Sequence, residues 1–479
     1  MNQQLYIDDN KGNVKNLTLI IIAFCSVFYP RILDTIGFPP AINFVHFLIV
    51  PFTLGVAIFT TPIKDRRQIA ISWQIIVATL LLLGVMVASA LLNKAGIINI
   101  FLDFVLLSEP FLLILAIICL PLSTASLAKL RTWLLVSAAT NVVLAIIQYF
   151  LIETGKLRII GYSPADGVQG VFYLSGAGNY VSVAVSLCVA LYYLIDAKSV
   201  SLGWRLFWLI AAFYQLLVSD SKQILIVFVI AWLLLVFTKF NQIDRFVFYF
   251  IAITLFIIAL FWAIENVDFA GLNAFKYWFS RTELYGPDGE AVNAKMAGIN
   301  IIRSYFQSPL NWLLGLGPGH TVGRLGGWIL RDYKNMLIPL GATIHPASLQ
   351  TWQLMTSNWL ILESSMFSPM FTWAGIWGDL GFLGLGVFLY LGYIVWHHLC
   401  RDDLSKLFVL TMVVYGFIIT QMEEPGQSLT IAILIGLQWH QRQNRKKARL
   451  GVTLSPDFES QSGAARASTP LYVKPNKRR

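Results

Sequence analysis

The sequence predicts an all-α membrane protein that crosses the bilayer many times. Of its 479 residues, 57% are hydrophobic and only 13% are charged, and the mean hydropathy is +0.68. Soluble globular domains carry about 25% charged residues, so this composition excludes an ordinary soluble protein. Apolar runs long enough to cross a hydrocarbon core about 30 Å thick recur along the chain. We predict about twelve transmembrane helices, at residues 17–37, 41–60, 69–92, 97–120, 132–152, 180–195, 205–218, 222–238, 245–264, 371–396, 407–421 and 428–440.

Short basic connections predict the orientation of these helices, because Lys and Arg are enriched in cytoplasmic loops. With a cytoplasmic N-terminus, six basic segments fall on the cytoplasmic side, namely Lys64–Arg67, Lys129/Arg131, Lys198/Arg205, Lys239/Arg245, Arg401/Lys406 and Arg442–Arg449. Both termini are then cytoplasmic. The predicted division of the chain is a cytoplasmic N-terminus (1–16), nine spans (17–264), an outer loop (265–370), three spans (371–440) and a basic, disordered tail (441–479). The net charge of +10 is explained by these segments facing anionic lipid, and it does not indicate a nucleic-acid partner.

The outer loop over 265–370 is the feature that points to chemistry. It holds seven Lys/Arg, seven Asp/Glu, five Trp and the glycine run Leu314–Gly319. A protein that only conducts or carries solutes rarely needs a loop of a hundred residues, whereas an enzyme acting on a lipid-anchored substrate does. We therefore predict a periplasmic or extracellular catalytic segment above the membrane.

Two shorter outer stretches carry candidate anion contacts. The turn Ser219–Lys222 places an ammonium beside a helix N-terminus, where unpaired N–H groups favour a phosphate. The alternative is a lysine that merely extends from a helix end to the interface. The loop Glu153–Tyr180 holds Arg158 and several glycines that allow close backbone approach to a ligand, and the alternative there is a plain surface loop.

Within the long loop, residues 291–306 have the apolar period of a helix. Val292, Met296, Ile299, Ile302 and Phe306 form one face, and Lys295 and Arg303 fall inside the same arc. Buried cations require a partner. That partner is either an internal carboxylate, Glu283 or Asp288, or a pyrophosphate. Arg281, just before this helix, is a further candidate.

Candidate proton acceptors follow in the same loop. His345 or His320 could act as a general base near neutral pH, and the alternative for each is a surface polar group. Glu363, near the end of the loop, is a carboxylate alternative for the same role.

Polar residues within the predicted spans are expected to face the interior of the bundle, because they are costly to expose to lipid; these are His46, Asp103 and Glu109. The four cysteines (Cys25, Cys119, Cys188 and Cys400) lack the spacing of metal ligands and are expected to be small buried residues. We predict no metal and no cofactor.

The order of these motifs resembles that of a known family. A glycine-rich outer loop ends in Asn179, a Ser-x-Ser-Lys turn follows, the long loop holds Gly315–Gly319, and Trp377–Gly384 comes last. Over roughly residues 150–400, the chain resembles the O-antigen ligase and O-antigen polymerase superfamily of bacterial surface-polysaccharide enzymes. The resemblance implies an all-helical GT-C fold in the bacterial inner membrane, with metal-independent glycosyl transfer on the outer face.

The implied donor is a glycan carried on undecaprenyl pyrophosphate. The other implied partners are the bilayer and other polysaccharide-assembly proteins. The resemblance assigns pyrophosphate contacts to basic residues, which here are Lys222, Arg281, Lys295, Arg303 and Arg158, and the base to His345 or Glu363. Lys222 and Lys295 depart from the arginines expected in the family, since lysine offers a point charge where arginine offers a bidentate fork.

A second departure concerns the subtype. Ligases carry a histidine shortly before the final acidic-Leu-Gly segment, and the stretch Met366–Trp373 has none. We therefore expect a polymerase of lipid-linked repeats. The rivals are a ligase that moves the glycan to a lipid or protein acceptor and, from another class, a transporter or flippase.

Overall fold

The structure is a computed structural model, and it describes residues 16–61, 65–157, 164–173, 175–198, 200–240, 242–268, 270–286 and 288–449. Within these residues the regular secondary structure is helical, without a β-strand. The helices before the long loop are α1 (Asn16–Phe28), α2 (Pro30–Thr35), α3 (His46–Thr60), α4 (Arg66–Asn93), α5 (Ile97–Cys119), α6 (Thr124–Glu153), α7 (Gly178–Asp196), α8 (Leu202–Val218), α9 (Lys222–Phe237) and α10 (Ile243–Asn266).

The long loop also contains helices, as expected. They are α11 (Ala270–Ser280), α12 (Glu290–Ser304), α13 (Pro309–Leu314), α14 (Leu330–Asp332), α15 (Lys334–Leu337), α16 (Pro346–Ser357) and α17 (Trp359–Glu363). Three long helices follow: α18 (Thr372–Ile394), α19 (Asp403–Ile418) and α20 (Pro425–Arg449). A π-helical turn at Leu325–Ile329 leads into α14.

Each of the twelve predicted spans overlaps one of these helices. Among the described residues, seven helical segments are long and apolar enough to cross a membrane: Pro40–Thr60, Arg66–Asn93, Ile97–Cys119, Thr124–Glu153, Gly178–Asp196, Ile243–Asn266 and Ser365–Leu399. These findings support an all-helical membrane protein with several spans, while the count of twelve stays a prediction. The first predicted span is interrupted at Pro30, which begins α2, because proline lacks the N–H that would continue the helix.

Side-chain contacts show at which of the two ends of the bundle the connections between helices lie. At one end, called the basic end here, Asp196 lies 3.4 Å from Arg131 and 3.7 Å from Arg445, and Lys239 pairs with Asp403. At the other, the loop end, the long loop contacts the turn between α4 and α5. Arg442, on the same helix as Arg445, pairs with Asp402 beside Asp403 and so joins these two groups. Cations of three basic segments (Arg131, Lys239 and Arg442/Arg445) therefore lie at one end, in agreement with the predicted topology. The helix α20 continues to Arg449, so residues 441–449 of the predicted tail are helical, and residues 450–479 lie outside the described residues.

Burial separates central from peripheral helices. Within the most apolar 18-residue window of each helix, 83% of the residues of α7 and 72% of those of α5 are buried, against 11% in α10. All residues of α20 from Pro425 to His440 are buried as well. The bundle is thus built around α5, α7 and α20.

The helix α18 is broken near its loop end. Gly381 has φ 65° and ψ −165°, which glycine adopts readily because it lacks a Cβ. The break frees the carbonyls of Gly378 and Asp379, which accept hydrogen bonds from Leu316 N (2.8 Å) and Gly317 N (3.0 Å). The glycine run of the long loop therefore crosses α18 in direct contact, with the backbone of one segment packed against the backbone of the other.

The glycine run and the segment after it are buried among the helices. Residues 315–323 are all buried, and Leu325 and Leu330 pack in one cluster with Leu102 and Leu106 of α5. Part of the long loop is therefore inserted into the bundle, which positions its polar groups beside those of α5 and α18.

Candidate functional site

Several residues predicted from sequence converge on one short stretch, residues 363–368, called the hub segment here. Arg281 Nη1 lies 3.4 Å from Glu363 Oε2, and Lys295 Nζ donates to Ser368 O at 3.0 Å. The hydroxyl of Tyr180 lies 2.7 Å from Ser365 Oγ. The hub segment therefore joins the long loop to the N-terminal part of α7.

The Ser219–Lys222 turn lies beside that part of α7. Asn179, which precedes Tyr180, donates to Asp166 Oδ1 (3.0 Å) and to Ser219 O (3.3 Å). Lys222 Nζ lies 2.6 Å from Asp220 Oδ1. The turn thus supplies its own counter-ion, and a phosphate would have to displace Asp220 from Lys222.

Lys295 is enclosed by backbone carbonyls. Its ammonium donates to Met366 O and Ser368 O in the hub segment and to Ile418 O at the end of α19. Burial lowers the pKa of Lys295 to about 7. The carboxylates expected as internal partners, Glu283 and Asp288, do not pair with it. Lys295 therefore links α12 to the hub segment and to α19.

The packed face of α12 differs from the predicted one. Val292 and Met296 are exposed, whereas the buried residues are Ala291, Ala294, Gly298, Ile301 and Ile302. At Gly298 an added Cβ would lie 2.2 Å from Pro369 O. The prediction is confirmed for Ile302, which is fully buried, and is wrong for Val292 and Met296. The difference arises because α12 packs largely through small residues that permit direct backbone contact, as helices of membrane bundles often do.

Arg303 is exposed, so the expectation that it shares the packed face is wrong too. Its side chain makes no hydrogen bond or ion pair with any other described residue. Among the predicted pyrophosphate contacts, Lys222, Arg281 and Lys295 each have an internal partner. Arg158 lies outside the described residues. Of the four predicted contacts that are described, only Arg303 has a side chain without a partner among the described residues.

The two histidines of the long loop stack at 5.3 Å between ring centroids. His320 is buried; its Nδ1 lies 2.8 Å from Leu316 O and its Nε2 lies 2.8 Å from Thr343 Oγ1. Because a carbonyl only accepts, Nδ1 carries the proton and Nε2 accepts from the hydroxyl. Burial lowers the pKa of His320 to about 4. Both nitrogens are occupied, so His320 holds the loop in place.

His345 caps α16. Its Nδ1 accepts a hydrogen bond from Ala347 N at 3.1 Å, and burial lowers its pKa. In the neutral ring the proton is then on Nε2, so this second nitrogen is a hydrogen-bond donor and not an acceptor. Glu363 has no such constraint: it accepts hydrogen bonds from Tyr277 (3.2 Å) and Arg281, and its side chain is 37% exposed.

Buried carboxylates form a second polar region, in which Asp103 lies close enough to Asp379 and Glu423 to interact with them electrostatically. As expected, Asp103 and Glu109 face the interior (3% and 1% exposed), and Glu109 lies 2.8 Å from His46 Nδ1. Two members went unrecognised in the sequence. Asp379 accepts from the backbone N–H groups of Gly319 and His320, both at 3.1 Å. Asp379 therefore holds the C-terminal end of the glycine run against α18.

Glu423 is the other unrecognised acid, since Glu423-Glu424-Pro425 reads as a helix terminus. Its Oε2 accepts from Arg324 N at 2.9 Å, and the Arg324 side chain pairs with Glu424. Burial lowers the pKa of Arg324 to about 10. The sequence feature that could have revealed this site is a pair of adjacent acidic residues, Glu423 and Glu424, inside an apolar stretch. No group of three or more His, Cys, Asp or Glu among the described residues is placed to hold a metal ion.

An apolar cavity of about 380 Å³, the main cavity, lies between α5, α18, α19 and α20. Trp373 and Glu423 line its loop end, and Trp396 lines its other end. Trp373 is in the first turn of α18 and Trp396 is in the π-helical turn (Val395–Leu399) that follows α18, so residues at both ends of this helix border the cavity. Leu389 and Tyr393, which also line it, are 51% and 54% exposed, so the cavity is open towards the surrounding lipid. Apolar cavities exclude water and take hydrocarbon.

Compared with known protein families and with curated proteins, the chain matches no family model and none of those proteins.

We expect His320 to make the stability of the protein depend on pH. The folded-state pKa is about 4 against about 6.5 in an unfolded chain. The unfolded state therefore binds more protons between these values, and stability falls as the pH drops from 6.5 towards 4. At about 1.4 kcal/mol per unit, the loss attributable to this ring is about 3 kcal/mol at pH 4.

Thermal unfolding in detergent at pH 7 and pH 4.5 measures this effect. His320→Gln is expected to show a smaller drop in Tm between the two pH values than the wild type. His397→Gln, at an exposed histidine near the basic end, is the control and keeps the wild-type drop. An unchanged drop in His320→Gln contradicts the assignment.

Proposed function

We propose that the protein is a membrane glycosyltransferase that polymerises oligosaccharide repeats carried on undecaprenyl pyrophosphate, on the outer face of the bacterial inner membrane. The observation that supports this most is the main cavity, which is apolar, is open to lipid along α18 and ends at Glu423. A lipid-linked donor needs space for a long hydrocarbon chain that leads to a polar region. In this proposal about twelve spans form a GT-C-like fold, and both termini are cytoplasmic.

The polar region beyond the cavity carries cations suited to a pyrophosphate. Lys295 bonds to Ile418 O at the end of α19, and α19 also contributes Val409, Met412 and Val413 to the cavity lining. An approaching pyrophosphate would favour the charged form of this lysine, because opposite charge raises a lowered ammonium pKa. Arg303 is the exposed cation two helical turns further along α12.

In the proposed reaction the acceptor hydroxyl oxygen attacks the anomeric carbon of the donor. The bond from that carbon to the pyrophosphate oxygen breaks, and the pyrophosphate leaves with the electron pair. Arg303 and Lys295 stabilise the developing charge, with Lys222, Arg281 and Arg158 as further contacts. The hydroxyl proton passes to Glu363, which Tyr277 and Arg281 orient. We prefer Glu363 to His345 as the base because Nδ1 of His345 caps α16.

A transporter is the second candidate, and one observation favours it. The break in α18 at Gly381 lies next to Asp379, and Asp103 and Glu423 are buried nearby. Transporters bind ions at broken membrane helices of this kind, and their buried acids carry protons.

Incubation of purified protein in lipid nanodiscs with one undecaprenyl-pyrophosphate-linked repeat tests the proposal. We expect a ladder of longer lipid-linked products on a gel, because donor and acceptor are the same molecule. No ladder, together with transfer to an added lipid or protein acceptor, supports a ligase. Uptake of labelled substrate into proteoliposomes without a covalent product supports the transporter. Either of these outcomes overturns the polymerase.

A further inference from the structure

A second cavity lies at the basic end of the bundle, away from the hub segment. It has a volume of about 200 Å³ and lies between α7, α8, α9, α10 and α19. Its lining is apolar apart from Tyr249 and Asp403. Ile195 at its edge is 49% exposed, so the cavity reaches the lipid-facing surface. Like the main cavity, this cavity has an apolar lining that favours hydrocarbon over water.

The polar residues of this cavity are at the basic end and are already paired. Asp403 binds Lys239, and it accepts a hydrogen bond from Tyr249 Oη at 2.7 Å. This ion pair therefore contributes no net charge. Any charge preference of the cavity comes from the cations around it.

Arg205 and Arg245 are those cations. Arg205 lies one helical turn before Leu209, which lines the cavity, and Arg245 lies one turn before Tyr249. Arg205 donates to Leu194 O at 2.6 Å, and Arg245 is exposed and lies close enough to Asp403 to interact with it electrostatically. Neither arginine forms an ion pair with a carboxylate among the described residues.

The face of α8 that lines the cavity also has unsatisfied donors. Arg205, Trp208, Leu209 and Phe213 share one face by their spacing, and Leu209 and Phe213 line the cavity. Arg205 Nε and Trp208 Nε1 are buried and have no hydrogen-bond partner in the part of the chain that the structure describes. Buried donors in this position need an acceptor, and the paired Asp403 cannot supply it to both.

We propose that this cavity binds one anionic phospholipid, with part of an acyl chain between α7, α8, α9, α10 and α19 and the phosphate at Arg205 and Arg245. The two arginines complement a net negative headgroup. They disfavour a zwitterionic lipid, whose ammonium would lie close to them. Basic residues at a membrane surface recognise anionic lipids in this way. The site is independent of the proposed glycosyl transfer, since it lies at the opposite end of the bundle from the hub segment.

Native mass spectrometry of the full-length protein in detergent tests the site. We add phosphatidylglycerol or phosphatidylcholine with identical acyl chains, and we expect one phosphatidylglycerol to bind more tightly than phosphatidylcholine. Removing both charges in Arg205→Gln/Arg245→Gln is expected to weaken phosphatidylglycerol binding roughly 25-fold, about fivefold for each arginine. Inorganic phosphate at the same concentration is expected not to displace the lipid.

The matched control is Arg66→Gln/Lys129→Gln, which removes two exposed basic residues outside the cavity. It is expected to keep wild-type lipid binding. Leu209→Trp, which fills the cavity and leaves both arginines, is expected to weaken binding as well. Equal retention of the two lipids by the wild type overturns the proposal, as does an equal loss in the control. Each variant is first checked for a single gel-filtration peak. If Arg205→Gln/Arg245→Gln fails this check, Arg205→Lys/Arg245→Lys replaces it, and for this variant we expect weaker but measurable lipid binding.

Discussion

Replacing Arg303 with alanine is expected to abolish polymer formation while the protein remains inserted and folded. The side chain is exposed and has no partner among the described residues, so its loss changes the free energy of unfolding by less than about 0.5 kcal/mol. Removing one group that stabilises developing charge lowers kcat by about 10²–10³-fold. The rate of ladder formation from lipid-linked repeats measures this effect, and the Tm in detergent reports on the fold.

Two further variants make the result specific. Arg303→Lys is expected to retain part of the activity, because it keeps the charge and loses the bidentate geometry. Lys334→Ala removes another exposed cation of the long loop and is expected to leave the rate unchanged. Wild-type activity in Arg303→Ala would show that Arg303 does not contact the leaving group, and the pyrophosphate assignment would then fail.

Hydropathy predicted the helices because the apolar character of each run is a local property of the sequence. A run of apolar residues must form its own backbone hydrogen bonds in lipid, so each predicted span becomes a helix. The same reasoning placed Asp103 and Glu109 in the interior of the bundle, where they are 3% and 1% exposed. Both inferences depend only on the cost of exposing polar groups to lipid.

The rotation of α12 could not be predicted in this way. Counting large apolar residues selected Val292 and Met296, but the contact is set by Gly298, which meets the carbonyl of Pro369. The tightest packing of this helix uses small residues, and they carry little weight in an apolar period. Lys295 then lies among carbonyls from two distant segments, which sequence spacing does not reveal.

Contacts between segments that are distant in the sequence could not be predicted from local patterns either. Glu363 was considered as a base and Arg281 as a pyrophosphate contact, yet their side chains meet at 3.4 Å. Asp379 lies in a motif that the sequence singled out, but its role in holding Gly319 and His320 depends on how the glycine run crosses α18. Nothing in the local pattern around Gly381 distinguishes it from the other glycines of that helix.

That crossing leads to the prediction with the largest expected effect on stability. Gly381→Ala is expected to destabilise the protein by more than about 3 kcal/mol and to remove activity. Its φ of 65° is one that side chains rarely adopt, and such strain costs about 1–3 kcal/mol. In addition, a Cβ would lie 2.3 Å from the carbonyl carbon of Leu313. Because the obstacle is backbone, the glycine run must move away from α18 and lose its hydrogen bonds to Gly378 and Asp379.

Gly386→Ala is the matched control, because Gly386 lies in the same helix and a Cβ there meets nothing within 4 Å. It is expected to leave Tm unchanged or to raise it, since alanine is favoured over glycine in a helix by about 1 kcal/mol. Membrane yield and thermal unfolding of both variants in detergent measure the difference. Equal Tm values for the two variants would mean that α18 runs unbroken past Gly381. In that case the glycine run could not reach the carbonyls of α18, and the arrangement of Asp379, His320 and Arg324 at the loop end of the main cavity would be lost with it.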